Sequence, residues 1–283
     1  KVYKLSLSSG CGCPNRDGTL GTRGCLFCDG AGAFAETGDI PAQLQRAKAR
    51  LHGKEGEGRY IAYFQSFTNT YAPAEYLRPL FEAAMEPEEI VALSVATRPD
   101  CLPPEILDLL AELNHRKPVW VELGLQTIHP QSAAYLRRGY ELPVFEEAVR
   151  ALRERGIEVI VHLILGIPGE TREDMIASAR YAGQWADGVK LHLLHVLDGT
   201  DLVAEYAAGR VRPLEREEYF GLLEDCLRVL PSSVVIHRLT GDGDKRRLLA
   251  PLWSADKKAV LNAMRRRFEE DDLVQGSALG KEA

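Results

Sequence analysis

Apolar, β-branched runs recur along the chain at intervals of about 30 residues, and the segments between them place their apolar residues at helical spacing. The runs are VYKLSLSS, RYIAYFQS, EIVALSVAT, PVWVELGLQ, EVIVHLILGI and VKLHLLHVL, with VVIHRLT as a seventh. PAQLQRAKARL, APAEYLRPLFEAA, PPEILDLLAEL, LPVFEEAVRALRERG and TREDMIASARYAGQWA are the amphipathic segments between them. Strand-helix alternation predicts a parallel sheet with crossover helices, and strands buried on both faces should read as continuous apolar runs, as several do. The expected fold is α/β, a partial (β/α)6-type TIM-like barrel with a short C-terminal extension. Thr171 and Asp174 fit a capping box, and Pro103–Pro104 suits a first helical turn. After about residue 230 the rhythm changes to a turn-rich basic segment, GDGDKRR, and a last helix expected from Ser254 to Glu270. The expected division is a barrel over residues 1–230, with a loop at 11–28, and an extension over 231–283 that serves as a substrate-binding element.

At 283 residues the chain is long enough for one large core. Hydrophobic residues at 45% and charged residues at 27% are ordinary for a globular protein, and no apolar run reaches the ~18 residues of a membrane span. The N-terminus begins KVYKLSL, strand-like from the start, without an initiator methionine or an apolar signal core. A start inside a longer chain is expected, and secretion has no support. Net charge is −6, which argues against a nucleic-acid-binding surface over the whole molecule. The charge is uneven, however: residues 231–283 hold ten Lys and Arg against eight Asp and Glu, and the remainder holds 25 against 33.

Four of the six cysteines lie in one stretch, CGCPNRDGTLGTRGCLFC, residues 11 to 28. Six cysteines are too few for a disulfide scaffold, so a reducing cytoplasm and metal-bound thiolates are expected. Core thiols belong on periodic apolar faces, whereas these sit among turn formers. Structural zinc prefers two C-x2-C pairs about 15–20 residues apart, unlike the C-x-C and shorter spacing found here. An iron–sulfur cluster is the other candidate, and three thiolates on four irons leave one iron open to a ligand.

In the sequence Cys13-x11-Cys25-x-Phe27-Cys28, directly after a first strand, this loop resembles that of radical S-adenosylmethionine (SAM) enzymes. The first spacing is wider than the usual C-x3-C-x2-C and is similar to that of the branch containing the catalytic subunit of Elongator. CPNRDGTLGTRGCLFC, SVATRPDCLP, ELGLQT, ILGIPGET, KLHLLHVLDGT and IHRLTGDG together resemble a bacterial group within that branch, from Lys4 to about Gly276. The resemblance implies a [4Fe–4S] cluster on Cys13, Cys25 and Cys28, with Cys11 outside the pattern. It also implies SAM held on the open iron through its amino and carboxylate groups, and one-electron cleavage to a 5′-deoxyadenosyl radical.

Chemistry in α/β barrels sits at the C-terminal ends of strands, and polar side chains inside apolar strands must find a partner or line a cavity. Gln65, Ser66, Thr68 and Asn69 follow one strand, Thr97 and Arg98 another; Glu122 and Gln126, His162, then His192 and His195 lie on the next three. For each, an ordinary satisfied polar group is the alternative. By resemblance, Gln65 and Ser66 handle the methionyl amino group, although the usual Gly-Gly-Glu is absent, and Arg98 pairs with the carboxylate. Gln126 and His162 lie near the ribose, ILGIPGET passes the adenine, and His195 meets adenine or substrate; Phe27 and Thr97 complete the cofactor-binding set. GIPGET lacks the lysine of a phosphate loop. Cys101 and Cys226 read as buried small residues.

Basic residues cluster at Lys245, Arg246, Arg247, Lys257, Lys258, Arg265, Arg266 and Arg267, with Arg137–Arg138 as a second patch. Such clusters bind phosphates, but a solvated helix face reads the same way, and the EEDD that follows invites intrahelical pairing. The resemblance implies transfer RNA as substrate, more narrowly the trimming of carboxymethylaminomethyl to aminomethyl on wobble uridine, with an electron donor such as flavodoxin or ferredoxin. The alternatives are radical SAM chemistry on a small metabolite or protein side chain, and a non-catalytic zinc-stabilised RNA-binding module.

Overall fold

The computed structural model describes residues 2–30, 38–51, 58–241 and 243–280. Asp242, in the basic turn, lies outside them. In chain order the elements are β1 (Val2–Leu7), α1 (Ile40–Ala49), β2 (Arg59–Phe64), α2 (Ala74–Met85), β3 (Ile90–Thr97), α3 (Pro104–Asn114), β4 (Val119–Gln126), α4 (Pro130–Tyr135), α5 (Leu142–Glu154), β5 (Glu158–Leu165) and α6 (Arg172–Trp185). They continue with β6 (Gly188–Leu193), β7 (Val196–Leu197), α7 (Leu202–Ala207), α8 (Arg216–Val229), β8 (Val235–Arg238), β9 (Leu248–Ala250) and α9 (Lys257–Glu270). The main sheet runs β1-β2-β3-β4-β5-β6-β8. All seven apolar runs became its strands, in the partial α/β barrel that their alternation predicts.

The chain divides into two compact units. The first holds Lys1–Gly24, Gly30–Gly124 and Tyr140–Ile160. There β1 pairs with β2, β2 with β3 and β3 with β4, all parallel. Phe64, Val95 and Val121, in register on one face, are 0% exposed, and Tyr63, Ser94 and Glu122 on the other are 0–4% exposed, so these strands are covered on both faces. The amphipathic helices supply the cover: α2 buries Leu77, Phe81, Ala84 and Met85, and α5 buries Phe145, Ala148, Val149 and Leu152. Inside the strands sits a polar group. Glu122, 0% exposed, accepts from Lys4 Nζ and from Ser94 Oγ, each at 2.7 Å, and the Lys4 ammonium lies 4.7 Å from the centroid of the Tyr63 ring.

The second unit holds Cys25–Asp29, Leu125–Gly139 and Val161–Ala283. Its β6 pairs in parallel with β8. The capping box of α6 forms as expected, Thr171 Oγ1 accepting from Asp174 N and Asp174 Oδ2 from Thr171 N. The last helix begins three residues later than Ser254, because the Asp256 carboxylate accepts from Ala259 N at 3.0 Å and caps it, while Leu252–Ala255 forms a 3₁₀ turn. The helix α8 escaped the pattern because its buried residues run around the cylinder, from Tyr219 and Phe220 through Leu223 and Cys226 to Val229, rather than along one stripe. The two-stranded antiparallel pair β7-β9 is too short to announce itself. No helix among the described residues is long and apolar enough to cross a membrane.

The Glu122 group makes a stability prediction. Glu122→Ala removes the partner of the partly exposed Lys4 ammonium and of the buried Ser94 hydroxyl, and should cost about 1.5–3 kcal/mol, the range for a hydrogen bond to a charged group. Urea unfolding should show a lower midpoint with an unchanged slope.

Candidate functional site

In the first unit, the loop after β1 turns at Cys13, whose carbonyl accepts from Arg16 N at 2.8 Å and Asp17 N at 3.2 Å. Gly24 has φ +75°, in the left-handed region, so the backbone demands glycine, and the Arg16 guanidinium packs into the space a Cβ would take. Behind this loop is a web of short polar side chains. Asn69, 1% exposed, accepts from Ser9 Oγ at 2.8 Å and donates to Ser66 O at 2.9 Å and Ala96 O at 3.0 Å, so one amide ties together β1, β2 and β3 at their C-terminal ends. Gln65 donates to Ser6 Oγ at 3.0 Å. Thr97 shares a hydrogen bond with Thr70 at 2.5 Å. Arg98 is 9% exposed, its guanidinium forked onto Asp100 at 2.9 and 2.7 Å and lying over the Tyr140 ring. Gln65, Ser66, Thr97 and Arg98 therefore gather at the C-terminal ends of β2 and β3.

In the second unit, the pentapeptide Cys25–Asp29 has no strand or helix of its own and is fastened from several sides. Leu26 N donates to Leu136 O at 3.1 Å, and Leu26 O accepts from Leu202 N at 3.0 Å. The Leu26 side chain, 4% exposed, enters an apolar cluster with Leu136, Ile164, Leu194, Val196 and Leu202. Burial of that size is worth about 2 kcal/mol. Cys25 Sγ lies 3.7 Å from Arg137 O, and Cys28 N donates to Cys25 O at 3.0 Å, turning the two thiols within one tight bend. Asp29 accepts from Arg247 Nη1 at 2.8 Å, and Arg247 also donates to Asp198 O.

Next to Leu26 the chain offers Phe27 to a cavity of about 200 Å³. Phe27, Gln126, His162 and His195, all anticipated, line it together with His192, Leu194, Leu197, Gly241 and Gly243. The rings of His162 and His192 are 5.1 Å apart. Gln126 occupies the left-handed region at φ 68°, a conformation costing about 1–3 kcal/mol for a residue with a side chain. Arg138 holds it there: 4% exposed, it donates to Leu125 O at 3.1 Å and Thr127 O at 2.7 Å, on both sides of Gln126. This corrects the expectation of a basic patch at Arg137–Arg138. Arg138 is buried under its own strand end, and Arg137 is paired with Asp201.

The basic tail is likewise partly spent. Arg246 pairs with Asp244, Arg247 with Asp29, and Arg267 with Glu224, Glu217 and Asp271. Lys245, Lys258, Arg265 and Arg266 are exposed. Gly241, Gly243 and Asp29 carried no signal of their own in the sequence, and Arg138 and Arg247 stood out only as members of basic clusters, not for the contacts they make.

All six cysteines are free thiols. Among the described residues no three His, Cys, Asp or Glu side chains stand together as a metal-ion site; Cys13 belongs to the first unit, Cys25 and Cys28 to the second. As donors these three suit an iron–sulfur cluster: soft thiols, half-buried, on turns rather than in the core. Cys101 and Cys226 are buried as expected, and burial pushes each thiol up to about 12. Against an ordinary thiol at 9.0, that is about a thousandfold less thiolate at pH 8. In the metal-free folded protein, iodoacetamide at pH 8 should therefore leave Cys101 and Cys226 unmodified until urea unfolds the chain and exposes them, as followed by peptide mass spectrometry.

Comparison with known proteins places this geometry. The profile of the Radical SAM superfamily matches residues 8–182, and that of the Radical_SAM C-terminal domain matches residues 186–270. YtqA of Bacillus subtilis (strain 168) is 43% identical over 281 residues, 98% of this chain and 87% of that protein. The tRNA uridine(34) acetyltransferase of Dehalococcoides mccartyi (strain CBDB1) is 30% identical over 156 residues, 54% of this chain but only 33% of that protein. Among solved structures, Elp3 of the archaeon Methanocaldococcus infernus, with an N-terminal deletion, superimposes with a TM-score of 0.72 at 18% identity, covering 97% of this chain and 64% of that one. The strand order, the cysteine loop and these matches agree: the chain belongs to the radical SAM superfamily, whose enzymes bind a [4Fe–4S] cluster and SAM.

Proposed function

We propose that this radical SAM enzyme acts on transfer RNA, at a modified wobble uridine, and trims carboxymethylaminomethyl to aminomethyl. The observation that carries the cofactor half of this reading is the cavity of the second unit, where Phe27, one residue from Cys28, meets Gln126, His162 and His195. Cys13, Cys25 and Cys28 would hold the cluster. Gln65, Ser66, Thr97 and Arg98 would receive the methionyl end of SAM, and the cavity its adenosyl end. When bound, these groups supply the one-electron cleavage that yields a 5′-deoxyadenosyl radical.

The protein's own part is placement. Cys25 and Cys28 stand on a bend whose backbone is tied to residues 136 and 202, so the thiols keep their spacing with little freedom. Phe27, Leu194 and Leu197 give the cavity apolar walls that shed water, while Gln126 and the histidines supply its hydrogen-bonding groups. Arg98 is oriented by the Asp100 carboxylate and the Tyr140 ring, and its guanidinium would be the group that meets the carboxylate of SAM. On the substrate, loss of a hydrogen atom from the carboxymethyl carbon beside the nitrogen, loss of one further electron to a one-electron acceptor of the flavodoxin or ferredoxin class, and hydrolysis of the resulting iminium would leave the aminomethyl group and release the two-carbon fragment as its aldehyde acid.

The nucleic-acid half is supported by the relative named for tRNA uridine(34) and by the exposed Lys245, Lys258, Arg265 and Arg266. Flavodoxin or ferredoxin in the cytoplasm would deliver the electron. Membership in an enzyme superfamily sets aside the non-catalytic zinc module.

After anaerobic reconstitution with iron and sulfide, dithionite and SAM should yield 5′-deoxyadenosine above a no-protein control by liquid chromatography. Cys13→Ala, Cys25→Ala and Cys28→Ala should each lose the cluster absorbance and the product, whereas Cys11→Ala should keep both; a cluster retained in Cys13→Ala would reassign the ligand. Separately, nucleoside mass spectrometry of transfer RNA from cells lacking the protein should show carboxymethylaminomethyl uridine accumulating as aminomethyl uridine falls. Unchanged wobble modifications would end the transfer RNA reading.

A further inference from the structure

A groove of about 730 Å³ runs along α9 in the second unit. Leu261, Met264 and Phe268, spaced three and four apart, line it from the helix, and Leu239, Leu273 and Val274 line it from the residue after β8 and from the segment after α9. Leu261 is 40% exposed and Val274 62%, so the groove leaves large apolar side chains facing water.

Charge along the same face falls into two blocks. Arg265 lines the groove, and Lys258, two turns before it, shares its side of the helix; Glu269 and Asp272 line the groove toward the other end. All four are exposed, and none enters an ion pair among the described residues. A helix favours acidic residues in its first turn and basic residues in its last. Past the Asp256 cap α9 does the reverse, opening with Lys257 and Lys258 and ending with Glu269 and Glu270. These charges oppose the helix that carries them, so their order has to be useful to something outside it.

A face with one basic and one acidic end fits a partner of the opposite order. RNA, or a uniformly acidic protein, would meet like charge at Glu269 and Asp272, whereas a second α9 running antiparallel sets each basic block against an acidic one. The same patch then serves on both subunits, as a twofold contact requires, with Met264 and Phe268 between the charged ends.

We infer that this chain forms a twofold dimer through the α9 groove, the two helices antiparallel, with Lys258 and Arg265 of each copy facing Glu269 and Asp272 of the other. Lys258 and Arg265 are then interface residues, and Lys245 and Arg266, which do not line the groove, are the ones left to a nucleic acid. The inference needs nothing from the reading of the reaction.

The test is sedimentation equilibrium of the anaerobically purified chain, with the thiols kept reduced so that no intermolecular disulfide imitates association. The wild type should be a dimer whose dissociation constant rises with salt. Lys258→Glu with Arg265→Glu makes the face acidic throughout, and Glu269→Lys with Asp272→Lys makes it basic throughout; each pair should weaken dimerisation at least about tenfold. Mixed together, the two variants should associate with each other, which an unfolded variant would not do. A monomeric wild type overturns the inference, and transfer RNA binding that falls on reversal of Lys258 and Arg265 in such a monomer gives the groove to RNA. A dimer that neither reversal weakens, or that is indifferent to salt, holds by another surface and equally overturns it; the wild-type mass and its salt dependence decide even if a variant fails to fold.

Discussion

The site depends on how five residues without secondary structure are held. A segment with no ladder of its own must send its backbone hydrogen bonds elsewhere, and Cys25–Asp29 does so at Leu26, which donates to Leu136 and accepts from Leu202. The Leu26 side chain drives the same segment into the apolar cluster of its unit. With the middle of the bend nailed down, the neighbouring side chains have no choice of direction: Phe27 goes to the cavity, and Cys25 and Cys28 are left on the rim of the turn. Arg247 closes the C-terminal end by gripping Asp29. Were Cys25 and Cys28 to hold the cluster as proposed, a bend already spaced by its own core residue would lower the ordering entropy that binding otherwise costs.

A second theme is the fate of charge. Of the basic residues that drew attention as a nucleic-acid surface, several serve the fold. Arg138 caps the carbonyls around a left-handed Gln126, Arg137 pairs with Asp201 beside the cysteine segment, and Arg267 ties α9 to α8 through Glu224. The guanidinium suits these tasks because its fork satisfies two acceptors at once with fixed geometry. Polar groups inside the strands follow the same rule: Glu122 survives burial because Lys4 and Ser94 both donate to it.

Much of the fold was legible in the sequence because it rests on local periodicity. Parallel strands covered on both faces leave unbroken apolar runs, and the helices between them keep one apolar stripe, so β1 to β6, β8, and helices such as α2, α3, α5 and α6 could be read directly. The helix α8 hides because it is buried around much of its circumference, and β7 and β9 hide because two or three residues carry no period. In the second unit, Gln126, His162 and His195 stood out as polar residues in or just after apolar strands and Phe27 through its place beside Cys28, and the fold brings all four to one cavity.

What the sequence determined by itself is the alternation of strands and helices, the cysteine spacing and the polar strand ends, since each is a property of neighbours along the chain. Tertiary structure decided which arginines are structural, why Gly24 must lack a side chain, and which hydroxyl meets His195. Those depend on contacts between residues far apart in sequence, as Ser254 and His195 are, and a hydrogen bond of that kind leaves no periodic trace: its two partners are chosen by where the backbone places them, and a serine 59 positions away looks like any other serine.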